Sequence, residues 1–137
     1  MLEPSRQLAA HERFEHVHAR VAGIEARQRG ELLSEASTDR LLGLMAQART
    51  GPLRLKGGLP PGWTIGHKTG TGQDFQGASV GINDVGLLTA PDGRTYAVAV
   101  MMRRTRHSVP ARLAFMQAVS RAVVEQWMRE TGAAVAD

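Results

Sequence analysis

The chain has no cysteine, which excludes disulfides, thiolate metal ligands and a cysteine nucleophile. It has three Phe, two Trp and one Tyr, little aromatic surface on which nucleobases could stack. No apolar run approaches the roughly 18 residues of a membrane-spanning helix, so the sequence offers nothing to cross a membrane. The opening Met1, Leu2, Glu3, Pro4, Ser5 and Arg6 lead into polar sequence without the apolar core of a signal peptide. As written, that start reads as cytoplasmic. Lysine is nearly absent too, with Lys56 and Lys68 the only two.

What is present suits one domain. A length of 137 residues, with 42% hydrophobic and 22% charged, can bury a real core. The net charge of +4 raises the question of nucleic acid. Arginines, however, are scattered from Arg6 to Arg129, and only Arg103, Arg104, Arg106 and His107 cluster. A solvated loop is the ordinary reading of such a run. A basic nucleic-acid-binding module stays as a minor alternative.

Periodicity predicts a helix over about 5–29, with Phe14, Val17, Val21 and Ile24 on one face and Gly30 as C-cap. A second helix is predicted over about 35–49 behind Ser34, carrying Leu41, Leu42, Leu44, Met45 and Ala48. Gly51, Pro52, Gly57, Gly58, Pro60, Pro61 and Gly62 then mark loop and turn. Strands are predicted over 63–71, 82–89 and 95–102, with a connecting loop over 73–81 and a turn at Pro91, Asp92 and Gly93. The last two runs are apolar at nearly every position, which predicts cover on both faces. A final helix runs over about 108–131, capped by Ser108, with Pro110 in its first turn and Gly132 closing it. The expected layout is a helical segment at 5–49, a three-stranded antiparallel sheet at 63–102, and a closing helix.

The run Gly66, His67, Lys68, Thr69, Gly70, Thr71, Gly72 concentrates chemistry at one strand end. Lys68 supplies a positive charge, and Thr69 and Thr71 supply hydroxyls that can hold a carboxylate. Gly70 and Gly72 leave backbone N–H groups uncovered, as an oxyanion requires. A phosphate loop is excluded, since His67 stands where glycine must precede the lysine. A glycine-rich strand end with an exposed lysine is the bland alternative for the tripeptide alone.

The flanks narrow the choice. The stretch from Thr50 through Arg54, Lys56, Gly57, Gly58 and Pro61 to Trp63, running into the 66–72 motif, resembles class A β-lactamases that carry histidine before the motif lysine. The resemblance continues through Asn83 and Asp84, the turn from Pro91 to Arg94, and the closing helix. Upstream, residues 30–37 are similar to the family's link between two helices. The resemblance implies the C-terminal part of an α/β sandwich, an antiparallel sheet between helical layers with three strands and three main helices here. It implies a serine hydrolase acting on β-lactams through an acyl-enzyme, without metal or cofactor, and exported from the cytoplasm.

By the same resemblance, Lys68 would lie beside the catalytic serine, and Thr69, with Gly70 and Thr71, would bind substrate. The backbone N–H of Thr71 would be one of two oxyanion donors. Arg54 would help hold the substrate carboxylate, because Asn83 stands where other members place that arginine. Gln73 and Asp74 would edge the pocket. Glu3, followed by Pro4, resembles the Glu-Pro pair of the deacylating loop. An arbitrary acidic residue near the start is the other reading.

Two signatures of the family are missing. No serine is followed three places later by lysine, since Leu53 and Ile65 occupy those positions, and there is no Ser-Asp-Asn. The chain alone is therefore expected to be inactive, with the nucleophile belonging to a missing N-terminal half. A non-enzymatic remnant or interaction fragment is the alternative. His11, His16 and His18 lack the i, i+4 spacing of paired helix ligands. His67 is expected to orient its neighbours rather than bind metal.

Overall fold

The computed structural model describes residues 17–23, 33–79 and 81–134. A four-stranded antiparallel sheet is ordered β1–β6–β5–β2, where β1 is Val17–Gly23, β2 Thr64–Thr71, β5 Ile82–Thr89 and β6 Thr95–Met102. A small separate hairpin joins β3, Asp74–Phe75, to β4, Ala78–Ser79. Helix α1 spans Glu35–Ala46 and α2 spans Val109–Thr131. A 3-10 helix, Leu55–Gly58, lies in the loop before β2. No described helix is long and apolar enough to cross a membrane.

The sheet and α2 make the core. Ser108 caps α2 by accepting the Ala111 N–H, and Gly132 ends it in the left-handed region. Phe115, Met116, Val119, Val123 and Trp127 recur every three or four residues, so they fall on one stripe. That stripe meets Ile82 and Leu88 of β5 and Val98, Val100 and Met102 of β6. Each such side chain, fully buried, contributes about 1.5–3 kcal/mol. At one end Trp63 stacks on Tyr96 at 6.0 Å and meets the edge of Trp127 at 5.6 Å. The Trp127 indole N–H donates to Asp92 at 2.8 Å, tying the β5–β6 turn to the helix.

Two glycines record close approaches. At Gly58 a Cβ would stand 2.3 Å from the Gln117 carbonyl oxygen, so the 3-10 helix can touch the α2 backbone only without a side chain there. At Gly66 a Cβ would meet Ala46 N at 3.3 Å, which lets α1 lie directly over β2.

Four expectations need correction. Residues 17–23 of the predicted first helix form β1, in register from Val17 opposite Met102 to Gly23 opposite Tyr96. The segment reads Val-His-Ala-Arg-Val-Ala-Gly, so its sequence alternates as well as it repeats helically. Pairing along β6 satisfies an entire row of backbone groups, which local periodicity does not count. The rest of that predicted helix lies outside the described residues. The sheet thus has four strands rather than three, and two α-helices lie among the described residues.

The predicted loop over 73–81 holds the β3–β4 hairpin, turned by Gln76 and Gly77 at φ 51° and 70°. Two successive positive φ values are the turn that matches strand twist, but Gln-Gly is not its usual signal. The second helix ends at Ala46 rather than 49. Finally, β5 alternates: Ile82, Asp84, Gly86 and Leu88 are buried, while their neighbours are half-buried. Cover is complete on the α2 face only.

Candidate functional site

Residues 66–71 of the motif lie on β2, an edge strand of the described sheet, and Gly72 follows it. Register fixes which way each group points. Ile65, His67, Thr69 and Thr71 stand opposite Leu88, Gly86, Asp84 and Ile82, and share the α2 face. Lys68, opposite Val85, shares the α1 face with Gly66. The Gly72 N–H donates to the Gly81 carbonyl at 2.6 Å, toward β5. Backbone N–H groups alternate sides along a strand, so the Thr71 N–H points to the open edge.

Around that edge the side chains converge. Lys68 is exposed, and its ammonium donates to the Thr69 carbonyl. Thr69 and Thr50 share a hydroxyl hydrogen bond of 2.8 Å. Arg54 reaches across from the loop before the 3-10 helix. One of its nitrogens donates to the carbonyls of Gly70 at 2.9 Å and Asn83 at 2.7 Å, and the other to the Thr71 hydroxyl at 2.6 Å. Gly70 and Asn83 are register partners, so the guanidinium straddles β2 and β5 at the motif. Asn83 spends its own side chain within the sheet, accepting the Met102 N–H at 2.9 Å. Gln73 and Asp74 follow, both exposed, with Asp74 4.0 Å from Arg112 of α2.

Beneath this surface lies a buried polar pair. His67 is 1% exposed and Asp84 0%. His67 Nδ1 is 2.9 and 3.1 Å from the two Asp84 oxygens, and the Leu55 N–H donates to Asp84 at 3.2 Å. Burial pushes the Asp84 carboxyl above its ordinary range, while His67, the Leu55 amide and the Arg54 charge pull the other way.

The structure therefore gathers Arg54, Lys68, Thr69, Gly70 and Thr71 at one edge. Glu3 lies outside the described residues, as do His11 and His16. Sequence reading missed Thr50 and the pairing of His67 with Asp84. A lone carboxylate inside the apolar run 82–89 was the available signal, because a buried charge demands a partner. No cluster of three His, Asp or Glu that could hold a metal ion occurs among the described residues. Chemically, the edge offers two cations, hydroxyl donors and an outward backbone N–H to an anionic ligand.

A family model described as "Beta-lactamase enzyme family" matches residues 6–127. The extended-spectrum β-lactamase PER-1 of Pseudomonas aeruginosa is 43% identical over 76 residues, 56% of this chain and 25% of that protein. A solved β-lactamase from Chitinophaga pinensis superposes with a TM-score of 0.69 at 34% identity, over 74% of this chain and 37% of that one. A representative class A β-lactamase from Bacteroides cellulosilyticus gives 0.67 at 27% identity over the same shares. The chain thus spans about a quarter of the length of the first curated relative and over a third of the solved structures. Sheet order, motif and sequence kinship lead to one conclusion: the chain belongs to the β-lactamase enzyme family, among its class A-like members.

Proposed function

We propose that this chain forms the carboxylate- and oxyanion-binding wall of a β-lactam-hydrolysing site. The observation that carries this is the Arg54 guanidinium set between Gly70 and Asn83, beside exposed Lys68 and the outward Thr71 N–H. Arg54 and Thr69 hold the carboxylate of the substrate, a task suited to a planar guanidinium fork. Lys68 adds positive charge beside the nucleophile. The Thr71 N–H stabilises the oxygen of the tetrahedral intermediate. A serine hydroxyl attacks the lactam carbonyl, the ring C–N bond breaks and its nitrogen takes up a proton; water then releases the acyl group.

That serine comes from outside these residues, since no Ser-x-x-Lys occurs among the 137. The site's complete form is exported, as the resemblance implies. Glu3 stays an open candidate for the deacylating carboxylate. The test is hydrolysis of a chromogenic cephalosporin by the purified chain, alone and with a polypeptide from a relative carrying Ser-x-x-Lys and Ser-Asp-Asn. Turnover is expected only in the mixture, and its loss in Lys68→Ala would tie it to this wall. A mixture that assembles without turnover, or whose turnover ignores Lys68→Ala, sinks the reading.

A second reading, an interaction fragment without its own catalysis, is favoured by α1. That helix buries none of its residues, and Leu41, Leu42 and Leu44 are exposed. Assembly without turnover is its expected outcome.

A further inference from the structure

We infer that His67 and Asp84 form a buried clamp that positions Arg54 against the motif strand. The inference rests on Arg54 serving the binding wall, as proposed above, but its structural half stands independently. The residues flanking Arg54 are held by three hydrogen bonds from two sides, β5 and α2. Asp84 accepts the Leu55 N–H at 3.2 Å, Ser120 of α2 donates to the Leu55 carbonyl at 2.7 Å, and Gln117 of α2 donates to the Leu53 carbonyl at 2.7 Å. Leu55 itself is 0% exposed, so the chain cannot shift there without disturbing the core. Arg54, between these anchors, has little choice but to extend across the β2–β5 seam.

Asp84 is the anchor that faces the motif strand, and its cost explains His67. A carboxylate excluded from water is destabilising unless several donors meet it. The Leu55 amide is one, and His67 Nδ1, within 3.1 Å of both oxygens, is the other. His67 Nε2 is buried and has no hydrogen-bond partner among the described residues. A proton on Nε2 would lack an acceptor, whereas a proton on Nδ1 faces two. The geometry therefore places the imidazole proton on Nδ1, directed at Asp84. His67, 1% exposed, acts through Asp84, Leu55 and Arg54, one residue before Lys68 and two before Thr69.

The test uses the 137-residue chain and benzylpenicillin as the carboxylate probe. In the parent chain, nitrogen-15 NMR of the imidazole is expected to show a proton on His67 Nδ1. A bare Nδ1 overturns the clamp, whatever any variant does. His67→Leu is expected to speed Leu55 amide exchange about tenfold, to move the Arg54 guanidinium resonances, and to weaken penicillin binding about tenfold. His67→Asn, whose amide can reach the Nδ1 position, is expected to restore all three to within about threefold. Unchanged Arg54 resonances in a folded His67→Leu, or a folded His67→Asn that behaves like the leucine variant, overturns the positioning role. Should the parent chain not bind benzylpenicillin, the wall reading fails, and Leu55 exchange and Arg54 resonances still decide the clamp.

Discussion

The two helices of this chain meet the sheet on very different terms. Helix α2 buries eight residues, from Arg112 to Trp127, against a face where Leu88 and Val100 are wholly excluded from water. Helix α1 buries none, and Leu44 is 63% exposed. Its approach over Gly66 brings the Met45 and Ala46 backbone and the Met45 Cβ close to the strand, with Met45 only half-buried. One face of the sheet is thus a finished core and the other is only partly covered. The motif straddles the two. Thr69 and Thr71 stand on the finished face with His67, while Lys68 points to the unfinished one. Rigidity is supplied from behind, and the cation is offered where cover is thin.

Substitutions can break this contrast. The largest effect is expected from Leu88→Ala, which removes a fully buried side chain and should cost about 2–5 kcal/mol in urea unfolding. Leu44→Ala, on the exposed face of α1, should stay within about 0.5 kcal/mol. Equal losses at the two sites would mean that α1 is packed as tightly as α2. Next comes Gly58→Ala, whose new Cβ would collide with the Gln117 backbone. A loss of about 1–3 kcal/mol is expected, together with displaced Arg54 resonances, because the 3-10 helix must move away from α2.

Arg54→Ala should weaken benzylpenicillin binding about tenfold. Arg54→Lys should recover little, since a single ammonium nitrogen lacks the planar fork whose two nitrogens reach Gly70, Asn83 and Thr71. Full recovery by lysine would reduce the guanidinium to a point charge.

The smallest effect concerns Asp92. The Trp127 indole hydrogen bond, chiefly, holds its carboxyl below the ordinary value of 3.8. A depressed value contributes stability that is present above pH 3.8 and lost as pH falls through the folded value. Acid titration followed by tryptophan fluorescence should therefore show a shallower loss below about pH 4 in Asp92→Asn than in the parent. Parallel curves would remove Asp92 from the account.

Much of the fold was legible locally. The runs at 82–89 and 95–102 are strands, and the Ser108 cap and Gly132 stop bracket the closing helix. These signals are set within a few residues by apolar patterning, turn chemistry and capping. Residues 17–23 were misread because Val17 and Val21 satisfy both a helical and an alternating pattern, and only the waiting edge of β6 favours the strand. The hairpin at Gln76 and Gly77 was missed because glutamine gives no sign of a positive φ.

Of the candidate wall, the sequence by itself determined the inventory: a lysine, two threonines and two glycines on one short strand, an arginine upstream, and membership of a family. Those are covalent facts or patterns of neighbouring residues. Only the tertiary structure decided that Arg54 spans Gly70 and Asn83, which are 16 and 29 residues away. It alone decided that the Thr71 N–H faces an open edge and that His67 meets Asp84 across 17 residues. Such contacts depend on strand register and on the closure of loops, so no window of local sequence contains the physics that selects them.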